Sequence, residues 1–507
     1  MAVLDGPIRE MAGSSDDLRP EDRLDAILHA LAQAPAAASA HLAGRGPERR
    51  RLETIASAYG LTDRVRFTDT GPLAGTPVYP SARNLAHALT PPGQAPGVSL
   101  EGPAPGLDGV TFAGLVERLY ADPDPSPPMP SGDDGILASH RIAVVTNIPA
   151  HYRIPLFNAL GRRLAEAGAD LRVLFQARSY PRRTFMRGEA IAFDHVFLRG
   201  VRRPRARGGH PLVALDLGRQ LRQFGPTVVV AGGFSPVVSG WAAREARRAG
   251  AAFGLWSGET PARGAGHSGL VHRSRRAVAA SADFGLAYGS ASTAYLRRLA
   301  PGLPIAIVRN AAPSPAPSGS RGDGPIEVLS IADLSTPGKN VGTLVDAIAR
   351  LSRPDLRLTV VGGGAPLEDL RRRAAPSGDR VAFTGPVASD RVLELYGRAD
   401  VFAFASTVDV FGLALLEAMG AGLAVATAAQ PGAVADLCVD GLNAVVVPEP
   451  DPDAWAEVLE RLAADAGLRE RLGTAAASTV ERRWTLEHSV DAWVAGLRLG
   501  VMARGGP

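Results

Sequence analysis

Two residue types are almost missing from this sequence. Cys438 is the only cysteine, and Lys339 is the only lysine in a chain whose other basic residues are arginine and histidine. A single cysteine excludes an intramolecular disulfide and a zinc site built from several cysteines, and it favours a reducing compartment. The solitary lysine lies in a predicted turn, where it either serves a site or is merely solvated.

Long hydrophobic runs are also lacking. No stretch of about eighteen apolar residues occurs, and the first residues, MAVLDGPIREMAGSSDD, contain no apolar core of the signal-peptide type. We therefore expect a cytoplasmic protein without a transmembrane helix. With 507 residues, 46% of them hydrophobic and 21% charged, the composition is typical of globular proteins, and the length allows for about two to four domains.

Several chemical signatures are absent as well. No Walker lysine loop occurs, and Gly362-Gly363-Gly364 does not continue into a full dinucleotide fingerprint, which argues against a P-loop kinase and an oxidoreductase. The histidines show no metal-ligand spacing, and we interpret Asp122-Pro123-Asp124 and Asp451-Pro452-Asp453 as loop and capping motifs, so no metal site is expected. Aromatic residues are not interleaved with the arginines, which argues against nucleic acid as a partner.

Strands and helices alternate along two long parts of the chain, which predicts two parallel-sheet domains with helices on both faces. One of the predicted helices is Pro211–Gln223. Segments rich in proline, glycine and serine separate the domains. The predicted divisions are a partial α/β segment over 1–130, a linker over 131–140, an α/β domain over 141–312, a linker over 313–324, an α/β domain over 325–483, and a C-terminal helix and tail over 484–507.

The stretch over residues 399–425 contains the most informative pattern. A predicted strand runs through a polar turn into a helix; Asp409 lies in the turn and Glu417 follows eight positions later. Phe411, Gly412 and Leu413 lie at the N-terminal end of this helix. A helix N-terminus attracts anions such as a diphosphate, and carboxylates accept hydrogen bonds from sugar or ribose hydroxyls. The pattern suits a nucleotide sugar, although an ordinary α/β unit with two surface acids would show it too.

The N-terminal segment resembles part of the last domain. Ala40–Phe67 and Thr359–Phe383 share a strand, a Gly-x-Gly turn, a charged helix and the sequence Asp-Arg-Val-x-Phe. No counterpart of Asp409 and Glu417 follows in the first copy. We interpret residues 1–130 as a partial, inactive copy that packs on the rest of the chain or on a second chain. Chance similarity of alanine- and arginine-rich helices is the alternative.

Five stretches in combination resemble the retaining glycosyltransferases of family 4, also called glycosyl transferases group 1. They are VVTNIPAHYRIPLFNAL near the start of the first large domain, LWSGET, KNVGTLVDAI, VVGGGAPLEDL and VDVFGLALLEAMGAG. The resemblance covers about residues 141–497 of this sequence. It implies an α/β protein of GT-B fold, with two Rossmann-like parallel-sheet domains facing a cleft, here preceded by a partial α/β segment. It also implies transfer of a sugar from a nucleotide-diphosphate sugar to a hydroxyl acceptor, with retention and without a metal or other cofactor.

The resemblance assigns roles in the donor-binding half. It places Asp409, where the family usually has glutamate, near the transferred sugar as a catalytic residue, and Lys339 on the diphosphate. Glu417 would accept hydrogen bonds from the ribose. Asp333 stands near the position of a family arginine. The remaining predicted donor-binding residues are Gly363, Val387, Phe411, Gly412 and Leu413.

In the acceptor half, the resemblance places a turn after the first strand at Asn147, His151, Tyr152 and Arg153. A surface-loop histidine is the alternative for His151. Glu259 is the nearest equivalent of a family histidine and is the second predicted catalytic residue, with a purely structural role as its alternative.

Nine arginines crowd residues 178–207, with only Glu189 and Asp194 opposing them. A solvated basic face is the default interpretation. Because the resemblance places this stretch in the acceptor-side domain, the functional interpretation is an anionic or lipid-linked acceptor, or peripheral contact with an anionic membrane. The nine are Arg178, Arg182, Arg183, Arg187, Arg199, Arg202, Arg203, Arg205 and Arg207.

The sequence thus predicts a glycosyltransferase that uses a nucleotide sugar. A non-catalytic nucleotide-sugar-binding module, or a partner subunit of another glycosyltransferase, is the competing hypothesis. An oligomer formed through residues 1–130 is compatible with both.

Overall fold

The computed structural model describes residues 2–4, 40–43, 65–68, 134–178, 190–202, 212–261, 269–312, 324–336, 338–447 and 451–504. Near the N-terminus it places three short strands in one sheet: β1 (Ala2–Leu4), β2 (Ala40–Ala43) and β3 (Val65–Thr68). β2 and β3 are parallel, and β1 is antiparallel to β2. The charged helix predicted within Ala40–Phe67 lies outside the described residues.

The first large domain is built on a seven-stranded sheet. Its strands are β4 (Arg141–Thr146), β5 (Asp170–Phe175), β6 (Asp194–Phe197), β9 (Val228–Gly232), β10 (Ala252–Ser257), β11 (Phe284–Ala287) and β12 (Ile305–Ile307), and a hairpin of β7 (Gly200–Arg202) and β8 (Leu212–Ala214) lies beside it. The seven strands are parallel in the order β12-β11-β10-β9-β4-β5-β6. The central strands β4 and β9 are nearly continuous apolar runs because helices cover both faces of the sheet.

Among the described residues, this domain has five α-helices with defined bounds. They are α1 (Arg153–Glu166), α2 (Leu217–Phe224), α3 (Val238–Ala249), α4 (Gly269–Ala280) and α5 (Ser290–Leu299). The predicted helix Pro211–Gln223 is wrong in its first half. Leu212–Ala214 instead pairs antiparallel with Gly200–Arg202, and the helix begins only at Leu217. A proline followed by leucines fits a helix start, but strand pairing over a sequence distance of about ten residues overrides that local preference.

The second large domain has a six-stranded parallel sheet. Its strands are β13 (Ile326–Ile331), β14 (Leu356–Val361), β15 (Val381–Gly385), β16 (Val401–Phe404), β17 (Ala424–Ala428) and β18 (Val445–Val447). The order β15-β14-β13-β16-β17-β18 reverses direction between β13 and β16. In sheets of this kind ligands bind at that reversal, beyond the carboxyl ends of the strands.

In the described part of this domain, seven α-helices connect and follow these strands: α6 (Val341–Arg350), α7 (Leu367–Ala374), α8 (Ser389–Arg398), α9 (Leu413–Gly420), α10 (Val434–Leu437), α11 (Pro452–Ala464) and α12 (Ala466–Arg483). The capping role predicted for Asp451 is confirmed, because its side chain accepts a hydrogen bond from the Asp453 N–H at the start of α11. α10, β6 and β18 had not been predicted. Each is at most four residues long, too short to show a period.

The last described helix, α13 (Leu486–Ala503), returns to the first large domain. Trp493 is fully buried there, with its ring 4.8 Å from that of Trp256 and 6.0 Å from that of Phe157. One core cluster therefore runs through both large domains and this helix. Within the described residues, no helix combines the length and hydrophobicity needed to cross a bilayer.

The strand register of the N-terminal sheet matches that of the second large domain. β2 and β3 pair Ala40 with Val65 and Leu42 with Phe67. β14 and β15 pair Leu358 with Val381 and Val360 with Phe383. When the two segments are aligned on their Gly-x-Gly turns and their Asp-Arg-Val-x-Phe sequences, these are the same pairs.

Candidate functional site

Two loops meet where the second sheet reverses its strand order. The loop after β13 contains Lys339, and the loop after β16 contains Asp409. Lys339 Nζ lies 2.5 Å from Asp409 Oδ2, and both side chains are mostly buried, with 15% and 19% of their surface exposed. The sequence assigned these residues separate roles, on the diphosphate and near the sugar. The structure brings them together as an ion pair.

Backbone and side-chain hydrogen bonds hold the two loops against each other. The Thr407 N–H donates to the Gly338 carbonyl at 2.8 Å, and Asn340 Nδ2 donates to Thr407 Oγ1 at 3.0 Å. Gly338 has a φ of +82°, and a Cβ there would lie 2.6 Å from Val408 Cγ2. A larger residue at Gly338 would push the loops apart, so the glycine fixes the position of Lys339 opposite Asp409.

The same loop leads into the N-terminus of α9. Gly412, the residue before the helix, has a φ of +106°, and a Cβ there would meet the Phe404 ring at 3.0 Å. The first turn of α9 contains no acidic residue. The N–H groups of a first helical turn have no partners within the helix and carry partial positive charge, so this end of α9 can receive an anion.

Glu417 lies one turn further along α9, beside a tyrosine. Tyr396 on α8 donates its hydroxyl hydrogen to Glu417 Oε2 at 2.9 Å and contacts the Ala414 carbonyl at 3.2 Å. Glu417 as a whole is half-buried, and its carboxylate is closely surrounded by protein atoms. Burial raises the pKa of Glu417 to about 7, and the hydrogen bond from Tyr396 opposes that rise. The group is therefore poised between its two protonation states near neutral pH.

The glycine turn after β14 is shaped by contacts with the chain itself. A Cβ on Gly362 would lie 1.8 Å from the Ala332 carbonyl oxygen, and a Cβ on Gly363 would lie 2.8 Å from Pro386. These close approaches leave no room for a side chain, so the packing of the loops is sufficient to explain why both positions are glycine. Val387, next to Pro386, is partly buried against the core. The donor-binding roles predicted for Gly363 and Val387 remain predictions.

Asp333 has a clear local function. Its carboxylate accepts hydrogen bonds from the Ser335 N–H at 3.0 Å and from Thr336 Oγ1 at 3.1 Å. These bonds shape the turn after β13. The acid at this position therefore stabilises the loop that leads to Lys339.

The predicted acceptor-side turn after β4 is organised by Arg153. Its Nη1 donates to Thr146 Oγ1 and to Asn147 Oδ1, each at 2.6 Å, and its Nη2 donates to Tyr288 Oη at 2.9 Å. The guanidinium also stacks on Trp256, 4.6 Å from the ring centroid. Arg153 is 9% exposed, so its contacts described here hold the turn in place.

The other two residues of this turn lie nearer the surface. His151 and Tyr152 are half-buried, with their rings 5.3 Å apart in an edge-to-face arrangement. The turn reaches the second domain through Tyr288, whose ring centroid is 6.4 Å from that of Phe411. The predicted acceptor-side and donor-side residues are thus joined at the interface between the domains.

Glu259 is held by an ion pair within the first domain. Its Oε2 lies 2.9 Å from Arg275 Nη1, and Arg275 also donates to Tyr295 Oη at 3.0 Å. The two charged side chains are 11% and 14% exposed. The arrangement supports the structural alternative for Glu259, and a catalytic role remains a prediction.

Of the basic stretch, Arg178, Arg199 and Arg202 belong to the described residues, and the other six arginines lie outside them. The Arg178 guanidinium lies 4.4 Å from the centroid of the Phe197 ring. In the part of the chain that the structure describes, no three His, Cys, Asp or Glu side chains gather as metal ligands would.

Tyr396 and Tyr288 were missed in the sequence. Both act through contacts with distant parts of the chain: Tyr396 lies 21 positions from Glu417, and Tyr288 lies 135 positions from Arg153. No local pattern signals such pairs. The only available sign was a tyrosine at the end of a predicted strand or on a predicted helix.

Comparison with known proteins identifies the second domain. Residues 317–479 match the family model described as Glycosyl transferases group 1. The D-inositol 3-phosphate glycosyltransferase of Xylanimonas cellulosilytica is 38% identical over 150 residues, which cover 28% of this chain and 36% of that protein. A GDP-mannose-dependent alpha-(1-6)-phosphatidylinositol monomannoside mannosyltransferase of Mycolicibacterium smegmatis is 33% identical over 178 residues, covering 33% and 44%. The chain thus spans less than half the length of either relative.

Solved structures extend the likeness to both large domains. Anabaena HepE in complex with UDP and glucose matches 69% of this chain and 97% of that chain, with a TM-score of 0.56 and 16% identity. Sucrose-phosphate synthase from Thermosynechococcus elongatus matches 69% and 96%, with a TM-score of 0.54 and 19% identity. The predicted GT-B fold is therefore confirmed, and residues 317–479 are similar to the glycosyl transferases group 1 family.

Proposed function

We propose that this chain is a glycosyltransferase that moves a sugar from a nucleotide-diphosphate sugar to a hydroxyl acceptor. One observation carries the proposal. Lys339, Asp409 and the first turn of α9 meet at the strand-order reversal of a glycosyl transferases group 1 domain, with Glu417 one turn away. A cation, unpaired N–H groups and two carboxylates are what an anionic, hydroxyl-rich donor requires.

Some of these residues stabilise charge that develops in the reaction, and others bind hydroxyl groups of the donor. Breaking a sugar–diphosphate bond builds negative charge on the leaving group and positive charge on the sugar ring. Lys339 and the N–H groups of Gly412 and Leu413 stabilise the leaving diphosphate, whereas the Phe411 N–H already donates to Asp409 Oδ1 at 3.4 Å. Asp409 lies near the sugar, where its charge also orients Lys339. Glu417 accepts from the ribose hydroxyls. Because protein groups supply the positive charge, we propose a mechanism that is independent of a metal. We propose retention from the resemblance to the retaining family alone.

On the acceptor side we place the turn at Asn147–Arg153, with His151 and Tyr152 as its outer residues. The names of two relatives specify an inositol phosphate and a phosphatidylinositol mannoside, both anionic. Together with the arginines of residues 178–207, these names favour an anionic or lipid-linked acceptor, reached by a cytoplasmic enzyme in peripheral contact with a membrane.

We further propose that residues 1–130 derive from a donor domain of this type. The shared register of β2–β3 and β14–β15 supports this origin, because register is independent of alanine and arginine content. Such a half-domain cannot bury its own faces, so it packs on the rest of the chain or forms an oligomer.

A non-catalytic nucleotide-sugar-binding module is the second candidate. The observation in its favour is that Lys339 is already neutralised by Asp409, which reduces the positive charge offered to a diphosphate. Both candidates bind a donor, and only the enzyme turns it over.

Turnover of UDP- and GDP-sugars with hydroxyl acceptors, including inositol phosphates, tests the proposal. We expect nucleotide release by the wild-type protein that falls at least about a hundredfold in Lys339→Ala and Glu417→Ala. Arg350→Ala and Glu457→Ala, which change exposed residues on α6 and α11, serve as matched controls and should retain activity. Donor binding without release on any acceptor would favour the module, and neither binding nor release would refute both.

A further inference from the structure

An aspartate of the second domain caps a helix of the first. Asp436 lies on α10, and Ser290 begins α5. The Ser290 N–H donates to both carboxylate oxygens, at 3.0 and 2.9 Å, and Ser290 Oγ donates to Oδ1 at 2.5 Å. A carboxylate at a helix N-terminus is favoured both by the hydrogen bonds and by the helix dipole. Here the cap comes from another domain, so it joins the two domains.

The contact is too close for any side chain at the preceding position. Gly289 has an extended backbone that any residue could adopt, with φ of −176°. A Cβ there would nevertheless lie 2.2 Å from Asp436 Oδ2. The glycine is therefore required by the approach of Asp436, and a methyl group at this position would displace the carboxylate without altering any charge.

The segment leading into α10 is hydrogen-bonded to the loop at 409–411, which we call the donor-side loop. The Gly432 N–H donates to the Asp409 carbonyl at 3.3 Å, and the Ala433 N–H donates to the Phe411 carbonyl at 2.9 Å. A Cβ on Gly432 would lie 2.3 Å from the Val410 carbonyl oxygen. Residues 432–436 thus connect the loop at 409–411 directly to the first domain.

A second contact lies beside the first. Tyr288, immediately before Gly289, packs its ring against Phe411 with centroids 6.4 Å apart. The turn at 288–290 therefore touches the donor-side loop through an aromatic ring and the α10 segment through a carboxylate. Movement of the first domain away from the second would strain or break both contacts.

We propose that Asp436 is a positioning residue that couples domain closure to the geometry of the loop at 409–411. Its carboxylate holds α5 against α10, and the 432–433 backbone transmits that position to Asp409 and Phe411. The part that concerns transfer rests on the proposed function, whereas the closure itself does not.

Two substitutions at opposite sides of the contact test the proposal. Asp436→Ala removes the cap, and Gly289→Ala displaces an intact Asp436. Asp369→Ala, which removes a surface carboxylate that is 71% exposed, is the matched control. If circular dichroism shows that either variant is misfolded, Ser290→Ala is used in its place. This substitution removes only the hydrogen bond from the serine hydroxyl.

Small-angle X-ray scattering in the absence of a donor measures how closely the two domains lie together. We expect a larger radius of gyration for Asp436→Ala and Gly289→Ala than for the wild-type protein and the control. Equal radii would overturn the proposal. This measurement needs no substrate, so it decides the coupling of the domains even if no nucleotide sugar is ever turned over, in which case the proposed function alone fails.

Steady-state kinetics test whether Asp436 positions the loop at 409–411. We expect kcat/KM for the donor to fall about tenfold in either variant, through kcat rather than KM, and the double variant to be no worse than the single ones because both break the same contact. Asp436→Asn, which keeps one acceptor oxygen, should recover part of the loss. Expanded variants with wild-type kcat/KM would show that the contact holds the domains but does not position the loop, and would contradict the proposal.

Discussion

Replacing Glu417 by glutamine should change how the stability of the protein depends on pH. The carboxylate is surrounded by protein atoms and receives one hydrogen bond, from Tyr396 at 2.9 Å. Glutamine has the same shape and can accept the same bond, but it never ionises. The substitution therefore removes the cost of a buried negative charge with little change in packing.

The sign of the effect follows from the raised pKa. The unfolded chain ionises this group near its ordinary value of 4.5, whereas the folded protein holds the proton until about pH 7. Between those values the folded state binds a proton that the unfolded state has lost, so the stability of the wild-type protein falls as pH rises. The full shift corresponds to about 3 kcal/mol. Because part of the Glu417 residue is exposed to solvent, which screens the cost of its charge, we expect about 2 kcal/mol.

Urea unfolding at pH 5 and pH 8 measures this difference. We expect Glu417→Gln to be close to the wild-type protein at pH 5 and more stable by about 2 kcal/mol at pH 8. Glu457→Gln, on the exposed face of α11, should follow the wild-type protein at both values. A constant difference between Glu417→Gln and the wild-type protein across this range would refute the assignment of the raised pKa.

Three further predictions concern other parts of the molecule. Asp409→Asn leaves Lys339 without its ion-pair partner, and initial rates of transfer should fall at least about tenfold, while unchanged rates would contradict the proposed role. Cys438 is fully buried and burial raises the pKa of its thiol, so a thiol reagent at pH 8 should label it only after denaturation; rapid labelling of the native protein would show otherwise. Trp493→Ala should lower the free energy of unfolding by about 3–5 kcal/mol in urea titration, whereas Met502→Ala, exposed on the same helix, should change it little.

The sequence predicts the large-scale fold well because hydrophobic period and length are local signals. The longer strands of both large sheets, such as RIAVVT and VVVAG, were recognised as apolar runs, whereas the three-residue run of β18 was missed. The hairpin of β7 and β8 was not, because Leu212–Ala214 becomes a strand only through pairing with Gly200–Arg202. Short elements such as α10 were missed because four residues are too few to show a helical period.

The candidate site was predictable in its parts and not in its connections. The sequence indicated Lys339, Asp409 and Glu417, but the ion pair between the first two spans 70 positions. Arg153 was assigned to the acceptor, and the structure shows it bonded to Tyr288 in another part of the sheet. Contacts made between elements, and between domains, leave no periodic trace in the sequence.

A thermal-shift titration with nucleotide-diphosphate sugars tests the central claim most directly. Ligand that binds only the folded protein raises its stability by about 2.7 kcal/mol at a hundred times Kd, so a bound donor raises Tm measurably. We predict that at least one UDP- or GDP-sugar raises the Tm of the wild-type protein and that Lys339→Ala abolishes the shift while Arg350→Ala retains it. A shift that survives in Lys339→Ala, or no shift with any nucleotide sugar, would contradict a donor site at Lys339 and Asp409.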